Sequence, residues 1–289
     1  MTADAEIFKR LRRHAGDWRV DIDLQFETES SLIAFGSRAG EQVVLKVTRQ
    51  PGDEWYAGEI LQAFNAKGFV RVYQHAPGVV LLERLAPGRS LLELSLKGKD
   101  EEAIAILADV IAQMSLIERS PNPNSTTLLH CPTIHKWARG FEQYAASGDG
   151  QIPKSLVDSG RQVFLELCAS QVQPRLLHGD LQHYNVLFDS NRGWLAIDPK
   201  GVFGELEYEV GAMMRNPVEC PDLFLSSQTI ERRLEQLATR LNLDRERALR
   251  WTFAQAVLSA IWEIEDGHPI DARSPVLRLA EMTREIIQA

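Results

Sequence analysis

The stretch "LLHGDLQHYNVLFDSNRGWLAIDPKG", residues 176–201, decides the reading of this 289-residue chain. Two runs of strand type, with a short polar turn between them, carry Asp180, Asn185 and Asp198. Four residues separate Asp180 from Asn185, and "GWLAIDPKG" is a short apolar strand ending in Asp198, ahead of Pro199 and Gly201. A hard divalent cation such as Mg²⁺ takes oxygen ligands, commonly one or two carboxylates together with substrate phosphates. Asn185 and Asp198 are of the right type to supply that incomplete shell. Asp180, left outside it, can orient an attacking hydroxyl or accept its proton.

Working outward, the first 85 residues read as an antiparallel sheet of about five strands with one helix inserted. "VDIDLQF" (20–26) alternates apolar and polar residues, and "SLIAFGSR" (31–38) with "EQVVLKVTR" (41–49) forms a hairpin across Ala39 and Gly40. "DEWYAGEILQAFNAKG" (53–68) has helical spacing and a stop at Gly68. "FVRVYQHAPGVVLLERL" (69–85) gives two further strands around Pro77 and Gly78. The cationic cluster in "MTADAEIFKRLRRHAGDW" reads as a solvated helix face.

Beyond "APGRS" (86–90) the pattern turns helical. Residues 100–120 are strongly amphipathic, with acids in the first turn that suit the helix dipole. Residues 153–170, 227–242, 244–266 and 273–289 also read as helices, while 121–133 reads as loop. In this half only the opening stretch is strand-like. The expected fold class is α+β: a β-rich lobe (1–85) joined to a mainly helical lobe (86–289).

Composition limits the partners. Forty acids against 32 Lys and Arg leave a net charge of −8, with no basic patch, which argues against nucleic acid and mildly for a cationic ligand. The start lacks the apolar core of a secretory signal, and no run is long enough to cross a bilayer. Cys131, Cys168 and Cys220 are scattered and odd in number, as expected for reduced thiols in a cytoplasm. Nothing here speaks to oligomeric state.

The triplet "HGD", the Asn five positions after its Asp, and the Asp of "IDPKG" together resemble the catalytic loop of protein-kinase-like phosphotransferases. Their form is similar to the aminoglycoside phosphotransferase branch. The string "WLAIDPKGVFGELEYEVGAMMRNP" (194–217) resembles most the streptomycin 6-kinase and hydroxyurea-resistance kinase family. The resemblance covers nearly the whole chain and implies a bilobal kinase-like fold using ATP and Mg²⁺. It implies that Lys46 in "VVLKV" contacts phosphates, that Glu59 holds Lys46, and that the backbone of Glu83 to Leu85 receives adenine. It also implies Asp180 as catalytic residue, Asn185 and Asp198 on the metal, and a small, cationic hydroxyl acceptor such as streptomycin. Glu207, Glu209 and Asp266 are the candidate acceptor contacts.

Plainer readings compete. Asp180, Asn185 and Asp198 can be turn formers, Lys46 can snorkel to solvent, and Glu54 is an alternative partner for Lys46. His178 reads as a structural hydrogen-bonding residue, Trp251 and Trp262 as core, and "HCPTIH" (130–135) lacks the second cluster that closes a zinc site. One departure stands out. The phosphate-facing turn, "FETESSLIAF" (26–35), has no glycine; Ser30 and Ser31 can donate to phosphate, but Glu27 and Glu29 would repel it. A metabolic kinase for sugars, choline or homoserine, and a catalytically silent binding protein, are the alternative functions.

Overall fold

Alternation near the N-terminus produces the sheet it predicts. The computed structural model describes residues 3–114, 116–117, 128, 130–147 and 149–289. Helix α1 (Ala3–Trp18) precedes strands β1 (Asp21–Glu27), β2 (Ser31–Arg38) and β3 (Glu41–Thr48). A 3₁₀ turn at Asp53–Tyr56 leads into α2 (Ala57–Phe64), and β4 (Val72–Ala76) and β5 (Val79–Glu83) complete an antiparallel sheet of order β1-β2-β3-β5-β4. Ala39 and Gly40 both have positive φ, 52° and 85°, as a two-residue hairpin of the I′ type requires. The inserted helix ends earlier than its sequence suggests. Asn65, with φ of 51°, caps it three residues before Gly68.

One face of this sheet is covered by α1. Ile7, Leu11 and Ala15, four residues apart, form a stripe against Leu32, Val43, Leu45 and Leu81. Arg10 donates to the carbonyls of Thr48 (2.7 Å) and Gly78 (2.8 Å) and lies 4.6 Å over the Trp55 ring. The cationic N-terminal segment is therefore a clamp as well as a solvated face.

The second lobe runs β6 (Pro87–Ser90), α3 (Leu92–Leu96), α4 (Asp100–Gln113), α5 (Ile134–Trp137), α6 (Arg139–Ser147) and α7 (Lys154–Ala169). It continues with β7 (Arg175–Leu177), β8 (Val186–Asp189), β9 (Gly193–Ala196), β10 (Val202–Gly204), α8 (Leu206–Met214), α9 (Ser227–Leu241), α10 (Arg245–Glu265) and α11 (Pro275–Gln288). The long helices and the β8–β9 hairpin match the sequence reading. The extra strands β6 and β10 do not: each has only three or four residues, too few to show a period. β6 joins β8, and β7 joins β10. Helix α4 stops at Gln113, and most of the 121–133 loop lies outside the described residues. Among described residues no helix is long and apolar enough to span a membrane.

The lobes share one core. Ile60, Phe64, Val80 and Leu82 of the small lobe belong to the same apolar cluster as Leu107, Phe141, Phe164 and Trp251. Strand β9 docks the small lobe directly: Val70 N–H donates to Ala196 O (3.0 Å), and Ala196 N–H donates to Gly68 O (2.8 Å). Arg192, in the β8–β9 turn, donates to Ala66 O (2.8 Å) and Phe69 O (3.1 Å) and pairs with Glu83. Within the helical lobe, fully buried Arg233 grips both carboxylate oxygens of Asp100 at 3.0 and 2.6 Å and donates to Met213 O and Asn216 O. That ties α9 to α4 and to the end of α8.

Candidate active site

The floor of the site is the quoted loop. His178 is fully buried; its Nε2–H donates to Ile197 O (2.8 Å), and its Nδ1 accepts from Asp180 N–H (3.2 Å). Burial lowers its pKa, more than Asp180 raises it, so the ring stays neutral and structural, in line with the sequence reading. Gly179 has φ of 82°, and a Cβ there would stand 3.1 Å from Trp137 and from Val202. No other residue fits both constraints. Asn185 donates from Nδ2 to Asp180 O (2.9 Å), which leaves its Oδ1 for the cleft. Its carbonyl accepts from Ile197 N–H (2.9 Å), so the loop and the strand bearing Asp198 move as one piece. Asp198 itself has φ of 54°, a left-handed conformation that Asp tolerates better than most residues, at a cost of about 1–2 kcal/mol.

The roof is β3. Lys46, buried, places Nζ 2.7 Å from Glu54 Oε2 and 2.8 Å from Asp198 Oδ1. Desolvation alone pulls the ammonium pKa down, but Asp198 and Glu54 together carry it above the ordinary lysine value. The ion-pair partner is therefore Glu54, not Glu59. Residues 53–56 form a 3₁₀ turn and α2 begins only at Ala57, so the two acids do not share one continuous α-helical phase. Glu59 instead faces His130 across 3.6 Å.

Roof and floor enclose a cavity of about 470 Å³, within the range of small-molecule sites. Lys46, Glu54, Asp180, Asn185 and Asp198 line it, as do Ser30, Glu83 and Leu85. Val44, Val70, Leu82, Leu187 and Ile197 supply flat apolar walls. Glu83 has its Oε1 engaged by both Arg192 and Arg71 N–H, which fixes the side chain at the hinge. Ser31 departs from expectation: it is buried, and its N–H donates to Thr28 Oγ1 (3.0 Å), while Thr28 joins Ser30 on the cavity wall. Arg49 pairs with Glu27 and donates to Thr28 O (3.3 Å), which offsets one of the two acids in this glycine-free turn.

The acceptor side differs from its sequence reading. Glu209 is buried, with its Oε1 accepting from Gly179 N–H (3.1 Å) and Leu181 N–H (3.3 Å), so it supports the loop holding Asp180 and cannot reach a ligand. Burial pushes its pKa up to about 7, against the pull of those backbone donors. Glu205 is fully buried on Arg247 (2.6 Å) and the Trp251 indole. Glu207 accepts from Asp244 N–H (3.3 Å), and Asp266 is the exposed C-cap of α10; neither lines the cleft. Trp251 is core, whereas Trp262 is half-buried against Trp137 and under the Lys200 ammonium.

Sequence reasoning missed Arg215. At the end of α8, its Nη2 lies 3.2 Å from Asp180 Oδ1, and its Nη1 reaches Gln255 Oε1 at 3.5 Å. No local spacing signals it: Glu209 in the first turn of α8 and Arg215 at its C-cap both address the Asp180 loop from far along the chain.

The donor set fits a divalent cation. Two carboxylates, Glu54 and Asp198, meet a single ammonium at Lys46, leaving net negative charge beside the free Asn185 oxygen. Asp180 lines the same cavity without touching Lys46, so a hydroxyl brought to it would face whatever Lys46 binds.

Residues 17–267 match the profile of a family described as aminoglycoside/hydroxyurea antibiotic resistance kinase. The chain is 33% identical over 255 residues to a streptomycin 3''-kinase of Klebsiella pneumoniae, covering 86% of this chain and 91% of that protein. It is 30% identical over 254 residues to a streptomycin 6-kinase of Streptomyces griseus, covering 83% and 76%. In fold it is similar to an aminoglycoside phosphotransferase solved with ADP and hygromycin B, with TM-score 0.64, 15% identity and 95% and 97% of the two chains covered. It is also similar in fold to the choline kinase of Streptococcus pneumoniae, with TM-score 0.59, 15% identity and 99% of each chain covered.

Proposed function

Because the chain belongs to the aminoglycoside/hydroxyurea antibiotic resistance kinase family and is a phosphotransferase, we propose that it moves the γ-phosphate of ATP to a hydroxyl of a small cationic acceptor of the streptomycin class. One observation carries the reading: Lys46 from one lobe and Asp180, Asn185 and Asp198 from the other line a single cavity.

Adenine fits between the apolar walls at Val44, Val70, Leu82 and Leu187, facing the backbone at Glu83 to Leu85. Lys46, held by Glu54, meets the α- and β-phosphates, and Thr28 and Ser30 approach the polyphosphate from the β1–β2 turn. Asn185 and Asp198 would hold Mg²⁺, whose charge, when bound, offsets that of the transferring phosphoryl group. Asp180 orients the acceptor hydroxyl and takes its proton late in the transfer, while Arg215 fixes the carboxylate's direction. Glu209 does the same for the loop backbone.

The test is a panel of hydroxyl acceptors, streptomycin among them, incubated with ATP and Mg²⁺ and read by mass spectrometry for a gain of one phosphate. The expected result is one phosphate on streptomycin, removed by Asp180→Ala with nucleotide binding preserved. Transfer retained in Asp180→Ala overturns the assignment of the base.

A further inference from the structure

A second, smaller cavity of about 160 Å³ lies between the lobes, bordered by Tyr56 and Glu59 from the small lobe and by His130, Trp137, Lys200 and Gly201 from the large one. It adjoins the catalytic loop. Trp137 packs against Gly179, and Gly201 N–H donates to His178 O (2.9 Å). Its volume falls below the roughly 300 Å³ at which whole small-molecule sites begin, so it admits one substituent, not an entire ligand.

Its chemistry points to a cation. With Lys46 taken by Glu54, the Glu59 carboxylate has no Lys or Arg within ion-pair distance among the described residues. Its neighbour, His130 Nδ1, stands 3.6 Å away, beyond hydrogen-bond length. The His130 ring stacks on Tyr56 at 3.8 Å and 4°, building a flat aromatic face beside that carboxylate. A carboxylate next to an aromatic face is the arrangement that recognises ammonium and guanidinium groups. Lys200 also borders the cavity, and its ammonium lies over the Trp262 ring at 5.6 Å.

We propose that this cavity is a subsite for one cationic substituent of the acceptor, with Glu59 as counter-charge and Tyr56–His130 as the face it lies on. This rests on the phosphotransferase reading of the main cleft and adds to it. Because each lobe supplies half of the lining, a bound acceptor bridges both lobes while its hydroxyl is presented to Asp180.

The experiment uses the full chain, with Glu59→Gln and Tyr56→Leu. In steady-state assays with streptomycin, Glu59→Gln is expected to raise the acceptor KM about tenfold, with kcat and the KM for ATP held within about twofold. Tyr56→Leu shifts the acceptor KM the same way by less. A titration with methylguanidinium, read by tryptophan fluorescence, reports on the subsite without any phosphoryl transfer. Wild type saturates, and Glu59→Gln, with an unchanged melting temperature, does not. Should wild type leave streptomycin unmodified while methylguanidinium binding still depends on Glu59, the subsite stands and only the acceptor assignment is lost. An unaltered acceptor KM with equal methylguanidinium binding in both proteins overturns the subsite. So does a loss confined to kcat or to ATP.

Discussion

Two arginine–aspartate pairs in the helical lobe serve opposite ends. Arg233 and Asp100 are 0% and 11% exposed and joined through two oxygens, with Arg233 Nη1 donating to two carbonyls and Arg232 adding a further contact to Asp100. Arg215 and Asp180 are 10% and 23% exposed and meet through one contact at 3.2 Å, with Asp180 still lining the cleft. The first pair is saturated and can do nothing but hold. The second makes a single contact and leaves Asp180 on the cleft wall, as the proposed role of base requires. A bidentate contact gives geometry and strength; leaving it incomplete gives reactivity.

The largest expected effect comes from breaking the saturated pair. Arg233→Met leaves the buried Asp100 carboxylate with Arg232 alone (2.6 Å) and should cost up to about 3–5 kcal/mol in urea unfolding, with transfer per folded molecule retained. The double variant with Asp100→Leu should recover most of that loss. Next is Glu209, which couples the open pair to its loop. Its folded pKa of about 7 lies above its ordinary value of 4.5, so the stability it contributes is full below pH 4.5 and lost as pH rises through about 7. Glu209→Gln should flatten that slope, worth on the order of 3 kcal/mol at most, in thermal melts between pH 4.5 and 8.

A smaller effect belongs to the open pair. Arg215→Ala should lower kcat about tenfold, leaving the KM for ATP and the melting temperature nearly unchanged. An equal fall in stability would make Arg215 a second Arg233 and erase the contrast. The smallest effect is at a third pair, Arg247 with Glu205. Burial, reinforced by Glu205, pushes the neighbouring Cys168 thiol up to about 12. Cys168 should resist alkylation at neutral pH until the protein unfolds, as peptide mapping would show.

Legibility followed sequence distance. Asp180 and Asn185 lie within one turn of chain and Asp198 on the next hairpin, so their grouping could be read directly. Lys46 was legible through the family resemblance, since a lysine in an apolar strand can equally snorkel to solvent. Glu54 and Glu59 were not separable, because a 3₁₀ turn of four residues is too short to show a period distinct from that of the α-helix it precedes. Arg215 meets Asp180 across 35 residues, and no local pattern encodes that approach. Glu209 sits in "GELEYEVG" and reads as an acceptor contact until loop amides from 28 and 30 residues away arrive to satisfy it. The long helices and five-stranded sheet carried enough turns or alternations to declare themselves; three-residue strands did not.

The shared core has a consequence for how the molecule comes apart. Helix α2 and the inner face of the small sheet are sealed by residues of the other lobe, while only the outer face, under α1, is self-sufficient. A polypeptide cut at the hinge would thus expose the apolar residues of α2 and of the sheet's inner face to water. The two lobes should melt in one calorimetric transition, and neither should be expressible as a free-standing fragment.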